Sequence, residues 1–344
     1  MAARAGRGLS SARMKFDVEL DSGAFYPASA IVELAELAEE RGFDAIWKGE
    51  SNSTDPIVLL SAIAARTKTI KLGTAIYHVY GRTPVTMGVQ AATLNDVSDG
   101  RFLLGLGVAN RTIALWHQGT FDRPLRRIRE YVEVVRAVSS GEKVEVAGEL
   151  YPTSGFKLSW RPRHPTLTIY YAGLGDQMTR LAGKIADGVI VNMANPATVR
   201  RIVENVRAGA AEAGRDPGAI EIAVKVRCAI NDDRAVAKRK LKQVLTFYNL
   251  ADHYKDLVAS MGFAAESQRI RDAYAAGGFK AAMAEVTDGM VDGLPTIAAT
   301  SAAEVRERVR PWIDAGATRL IIPPVPCTDE PVHEARGFLR GWQT

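Results

Sequence analysis

Residues 42–50 read Gly42-Phe43-Asp44-Ala45-Ile46-Trp47-Lys48-Gly49-Glu50. Five residues later Asp55 and Pro56 open a segment with Leu60, Ile63 and Ala64 at helical spacing. The run at 43–48 has the length and composition of a buried strand, and it ends in a polar tip. Asp55 offers a side-chain acceptor to the first helical amides. Pro56 suits the first helical position, because the amide hydrogen it lacks has no partner there. Strand, polar tip and capped helix make one βα unit.

The same unit recurs along the chain, about eight times in all. A strand at 15–20 precedes a helix with Ile31, Leu34, Ala35 and Ala38 on one face and Gly42 as its stop. A strand at 70–77 leads to Thr83-Pro84, and one at 101–108 leads to a helix near Pro124 with Leu125, Ile128, Val132 and Val135 inward. The strand at 167–172 runs into a helix capped near Asp176. The strand at 188–192 runs into one opened by Asn195-Pro196, with Val199, Ile202, Val203 and Val206 inward. Strands at 220–230 and 319–322 and a short last helix complete the set. This alternation predicts an α/β fold, a (β/α)8 TIM barrel whose strand tips surround one reaction site at the C-terminal face.

Two intervals, 141–166 and 232–318, are too long for simple connections. They predict insertions over the barrel mouth, the second a helical cap. Residues 1–13 carry Arg4, Arg7 and Arg13 without an apolar core and read as a disordered leader. Residues 14–344 then form a single barrel domain.

The 44 Lys and Arg against 39 Asp and Glu give a net charge of +5 over 344 residues, with no basic block beyond Lys238-Arg239-Lys240. That excludes a nucleic-acid surface and favours a small anionic ligand. Cys228 and Cys327 are too few for a disulfide scaffold, so a reducing, cytoplasmic setting is expected. No apolar run approaches the ~18 residues of a membrane span.

Strand alternation puts Phe16, Val18 and Leu20 on one face and Asp17 and Glu19 on the other. Carboxylates pointing into a barrel are unfavourable unless hydrogen-bonded, paired or functional. Glu19 lies at the catalytic end, and Glu50 ends the next strand. Gly105-Leu106-Gly107-Val108-Ala109-Asn110 lacks the third glycine and the following helix of a dinucleotide fingerprint. Ala172-Gly173-Leu174-Gly175-Asp176 carries a strand tip straight into a helix N-terminus, where amides and the helix dipole hold a phosphate. A tight turn without ligand is the alternative. The histidines His78, His117, His164, His253 and His333 form no zinc motif, so no metal site is expected. His78, just past the third strand tip, is the one placed at the mouth. No Gly-x-Ser-x-Gly elbow or Cys/His pair points to a hydrolase.

Several stretches carry a family likeness: Lys15-Phe16-Asp17-Val18-Glu19, Gly42 through Trp47, Lys71-Leu72-Gly73-Thr74-Ala75-Ile76 with Tyr80-Gly81-Arg82-Thr83-Pro84, and Ile169 through Gly173 on to Asn195-Pro196. In these the chain resembles the luciferase-like barrel superfamily, most of all its methylenetetrahydromethanopterin reductase branch, which uses the deazaflavin coenzyme F420. The resemblance implies a cis peptide between Ala75 and Ile76 behind the deazaflavin ring, with Gly107 and Val108 lining that ring. It also implies phosphate binding by Ala172, Gly173, Leu174 and Gly175. Glu50, Asn110, Asp176 and Asn192 are expected as further cofactor contacts, and Glu19 as the proton donor. Two positions depart from the family pattern: Glu50-Ser51 stands where the family has Asp-His, and Asn110 where it has an acid. That leaves Glu19, Glu50 and His78 as the candidate catalytic groups.

The implied activity is a coenzyme F420-dependent oxidoreductase. It would transfer hydride between the deazaflavin and a small organic substrate, reducing C=C, C=N or C=O, with Arg82, Lys225 or Arg227 near the cofactor's acidic tail. An FMN-dependent luciferase-like monooxygenase is the alternative, and a non-catalytic flavin- or deazaflavin-binding protein a further one. A homodimer or higher homo-oligomer is expected, with no nucleic-acid or membrane partner.

Overall fold

The computed structural model describes residues 14–20, 25–50 and 53–342; the expected leader at 1–13 lies outside them, as does Ser51. Eight parallel strands follow in chain order: β1 (Lys15–Glu19), β2 (Ala45–Lys48), β3 (Lys71–Thr74), β4 (Phe102–Gly107), β5 (Thr168–Ala172), β6 (Gly188–Val191), β7 (Glu221–Lys225) and β8 (Arg319–Ile322). Each pairs with its sequence neighbours, and β8 returns to β1 through Lys15 opposite Arg319. The sheet is therefore closed and has no edge, as the βα repeat requires.

Around the sheet run α1 (Ala28–Glu40), α2 (Pro56–Arg66), α3 (Pro84–Val97), α4 (Arg111–Trp116), α5 (Pro124–Ser139), α6 (Asp176–Ile185) and α7 (Pro196–Glu212). The Asp55, Thr83 and Asn195 side chains accept from Val58, Thr86 and Thr198 amides, each just before a proline. The chain thus turns from strand tip into helix within a few residues, which keeps those tips clear for the site.

The third and seventh strands are less continuous than their apolar runs suggest. The Ala75–Ile76 peptide is cis, and Tyr77–His78 rejoin the sheet beside Leu106 and Gly107. The run at 220–230 divides at Val226: β7 stays in the barrel, while Arg227–Ile230 runs on beside Pro324 and pairs on its other side with Thr296–Ala299. That partner strand lies inside the stretch read from sequence as mostly helical. Its four buried residues are too short a run for periodicity to tell strand from helix.

Outward strand residues such as Val18, Ile46, Leu72 and Leu104 pack against Ile31, Leu34, Leu60 and Ile63 of the helices. The barrel interior is filled by Trp47, Leu103, Tyr170, Ile190 and Ile321. Trp47 and Tyr170 meet edge-to-face at 5.2 Å, where glycine opposite each is a steric requirement. A Cβ on Gly73 would stand 2.2 Å from Trp47, and one on Gly188 2.3 Å from Tyr170. Below them Asp17 accepts from Arg319 at 2.7 and 2.8 Å and from the Trp47 indole at 2.7 Å. Of the two inward carboxylates of β1, Asp17 therefore belongs to the core.

The helical insertion contains α8 (Arg234–Leu250), α9 (Asp252–Val258), α10 (Ala264–Ala284) and α11 (Asp288–Gly293). It has its own apolar cluster of Leu241, Leu245, Val258, Ile270, Met290 and Val291. Then α12 (Ala302–Arg308) and α13 (Arg310–Asp314) return to β8, and α14 (Pro331–Gly341) ends the fold. The insertion reaches the barrel mouth through Tyr248 and Tyr254. Residues 141–166 do not cover the mouth as expected. Their Val144, Val146 and Leu158 bury against Ala92, Val134 and Val138 on the flank of α3 and α5, because those helices present an apolar face there. Among the described residues no helix is long and apolar enough to cross a membrane.

Candidate active site

The strand tips and the insertion enclose a cavity of about 410 Å³, within the usual range for small-molecule sites. Its walls bring together Glu19, Glu50, Ala75, Ile76, His78, Gly107, Val108, Asn110, Ala172, Gly173, Leu174 and Asn192. These come from six different strand tips or the loops behind them. One wall is the cis junction at Ala75–Ile76, and close packing dictates the residue beside it: a Cβ on Gly107 would lie 2.5 Å from Ile76 Cδ1.

Glu19 is 4% exposed, and its carboxylate is held asymmetrically. Lys225 Nζ, itself buried, donates to Glu19 Oε1 at 2.7 Å and to the Ala75 carbonyl at 2.8 Å. Glu19 Oε2 is buried and has no hydrogen-bond partner. An unsatisfied carboxylate oxygen costs free energy that a donor entering the cavity, a ligand or a water, or a proton recovers. Lys225 thus ties one oxygen of Glu19 to the carbonyl of the cis junction and leaves the other for the cavity.

Glu50 and His78 form a second unit. Glu50 Oε1 accepts from Arg82 at 2.7 Å, and Oε2 accepts from the His78 amide at 3.1 Å. His78 Nδ1 accepts from the Tyr80 and Gly81 amides, so its proton sits on Nε2, which donates to Glu50 Oε2 at 3.1 Å. Burial, with His117 and Arg82 nearby, pushes the imidazole down to about 4. Burial also raises the Glu50 carboxyl, against Arg82 and the His78 amide. His78 is therefore neutral at ordinary pH and acts as a strut for Glu50; it is 3% exposed.

Asn192 links barrel to cap. Its Oδ1 accepts from Arg227 at 2.8 Å and its Nδ2 donates to the Tyr254 hydroxyl at 2.5 Å. The Arg227 guanidinium stacks over the Tyr248 ring at 4.6 Å and also donates to a tyrosine hydroxyl, that of Tyr248. The cations expected beside an acidic tail are thus engaged within the protein. Arg82 binds Glu50 and Asp55, Lys225 binds Glu19, and Arg227 holds Asn192 and Tyr248.

The expected phosphate loop is only half in the cavity. Ala172, Gly173 and Leu174 line it, and a Cβ on Gly173 would press to 3.2 Å from Met178. Gly175 and Asp176 are exposed outside the lining. The Asp176 carboxylate turns to Asn205 at 2.9 Å, since the first helical turn points it toward α7. Asn110 lines the cavity, but its Oδ1 accepts from the Ile113 amide and caps α4. At the position where the resemblance places an acid, this chain has a helix cap.

Ile113, Met178, Tyr248 and Tyr254 also line the cavity without having been singled out from sequence. Ile113 and Met178 follow the strand tips by one helical turn, a weak local signal. The tyrosines come from an insertion, where no spacing rule applies. Among the described residues no group of three or more His, Cys, Asp or Glu is placed to hold a metal ion.

The 5,10-methylenetetrahydromethanopterin reductase of Methanolobus tindarius is 31% identical over 297 residues, covering 86% of this chain and 90% of that protein. The enzyme of the same name from Archaeoglobus fulgidus is 29% identical over 317 residues, covering 90% and 92%. The solved coenzyme F420-dependent tetrahydromethanopterin reductase of Methanopyrus kandleri superposes with a TM-score of 0.84 at 26% identity, over 96% of this chain and 98% of that one. The family model described as luciferase-like monooxygenase matches residues 8–319, and the chain belongs to that family.

Proposed function

We propose that this protein is a coenzyme F420-dependent oxidoreductase that reduces an electron-poor carbon of a small organic substrate. The observation that carries the reading is the orphaned oxygen of Glu19, buried in a cavity walled by the Ala75–Ile76 junction and Gly107. The relatives named as F420-dependent or methylenetetrahydromethanopterin reductases support the choice of cofactor. The residues present fit a flat ring with a phosphate: Gly107 leaves the ring wall clear, and Gly173 opens the start of α6 to a phosphate.

A bound deazaflavin would supply the hydride. The chain's own residues position, shield and move protons. Glu19 Oε2 gives or takes the proton at the reacting atom, and Lys225 Nζ, hydrogen-bonded to Oε1, is the neighbouring proton store. Glu50, held by Arg82 and neutral His78 at the tip of the neighbouring strand, orients the ligand. Tyr248 and Tyr254 of the insertion form the side of the cavity facing away from the barrel.

Side-by-side titration with coenzyme F420 and FMN, followed by turnover of Glu19→Gln, tests this. Wild type is expected to bind the deazaflavin at least tenfold tighter, and the variant to lose about 10²–10⁴ in kcat with cofactor affinity retained. Preference for FMN with oxygen consumption would favour a monooxygenase, and a Glu19→Gln variant as fast as wild type would remove the proton role. The reading extends to a cytoplasmic homodimer. Exposed Leu115 and Trp116, neighbours on α4, support a partner surface, which sedimentation velocity tests.

A further inference from the structure

A second cleft, about 380 Å³, runs between α5 and α6 and is lined by Leu125, Arg126, Arg129, Gln177, Arg180, Leu181 and Lys184. Both the cavity and the cleft draw on the first turn of α6: Met178 lines the cavity, and Gln177, the residue before it, lines the cleft. From Gln177 to Lys184 the cleft follows α6 for about 10 Å at 1.5 Å per residue.

Four cations face this cleft and two carboxylates answer them. Glu149 is shared by Arg123 and Arg126, and Glu212 by Arg180 and Lys184. Arg129 finds no carboxylate partner among the described residues. The placement runs against helix electrostatics. The first turn of α5 holds no acid but does hold Arg126, at the end where the dipole disfavours positive charge. Such a cluster is stabilised by an anion.

We infer that this cleft holds the acidic tail of the cofactor, a flexible chain of glutamyl carboxylates leaving the phosphate at the start of α6. The inference rests on the F420 reading and adds a location to it. The Gly173 loop at the cavity leads directly into the first turn of α6, where Gln177 lines the cleft. The charge is complementary, Leu125 and Leu181 offer walls to the tail's methylenes, and the cations at the cavity itself are already engaged. Because the four cations are exposed, the attraction is steering and avidity that salt screens.

The test is a fluorescence titration of the full chain with coenzyme F420 carrying several glutamates and with the same cofactor stripped of them. At low salt the glutamate-bearing form is expected to bind about five- to tenfold tighter. The difference is expected to collapse at about 1 M salt, where the Debye length is about 3 Å. It is also expected to vanish in Arg129→Glu/Lys184→Glu, which binds the stripped form as wild type does. Equal affinity for both forms in wild type, or a preference that survives the double substitution, overturns the inference while the cofactor reading stands. Failure of either form to bind overturns both.

Discussion

Lys225 Nζ stands 2.7 Å from Glu19 Oε1, and both residues are buried. They are 206 residues apart in sequence, yet adjacent beside the Ala75 carbonyl. The pair couples the candidate proton-handling group to the backbone of the cavity wall.

Removing only one partner strands a buried charge. Lys225→Met is expected to destabilise the protein by about 3–5 kcal/mol. The double variant Lys225→Met/Glu19→Gln is expected to recover part of that loss, giving a coupling above ~1 kcal/mol in a denaturant double-mutant cycle. Additive effects would mean that the pair is not an ion pair in solution.

His78 predicts an acid limb in stability. Its imidazole titrates near 4 in the folded protein and near ~6.5 when unfolded. Between these values the unfolded chain binds the proton and the native one does not. Stability is thus fully present above pH ~6.5 and falls toward pH ~4, by about 3 kcal/mol in total. Urea unfolding at several pH values is expected to show this limb in wild type and its loss in His78→Asn. The facing groups Glu50, Arg82 and His117 remain in both proteins.

Gly107→Ala tests the wall of the cavity. The added Cβ would lie 2.5 Å from Ile76 Cδ1 and force that side chain toward the ligand space. Deazaflavin affinity is expected to fall about tenfold, or ~1.4 kcal/mol, with little change in thermal stability. Unchanged affinity would place the ring elsewhere.

Asp17→Asn tests the core role given to the other inward carboxylate. Burial pushes Asp17 up to about 6, while Arg319 and the Trp47 indole hold it down, so it is charged at pH 7. The substitution is expected to lower stability by about 3 kcal/mol, because Arg319 keeps only Glu221. Cofactor affinity should not change.

Much of the architecture was legible in local chemistry. Asp55-Pro56, Thr83-Pro84 and Asn195-Pro196 mark helix starts because a cap acceptor and a proline act within one turn. Alternation in β1 pointed Asp17 and Glu19 inward, but could not say which is core and which is site. That distinction rests on Arg319 and Lys225, which lie far along the chain.

The sequence by itself determined the βα rhythm, the closed parallel sheet and the cluster of strand tips, because caps and periodicity act over a few residues. Only the tertiary structure decided that Lys225 claims one oxygen of Glu19, that His78 serves Glu50, and that Tyr248 and Tyr254 roof the cavity. It alone also parted the seventh strand at Val226 to pair Arg227–Ile230 with Thr296–Ala299. Those outcomes depend on which buried charges and strand edges meet after the barrel closes, and no local pattern encodes contacts between residues so distant in the chain.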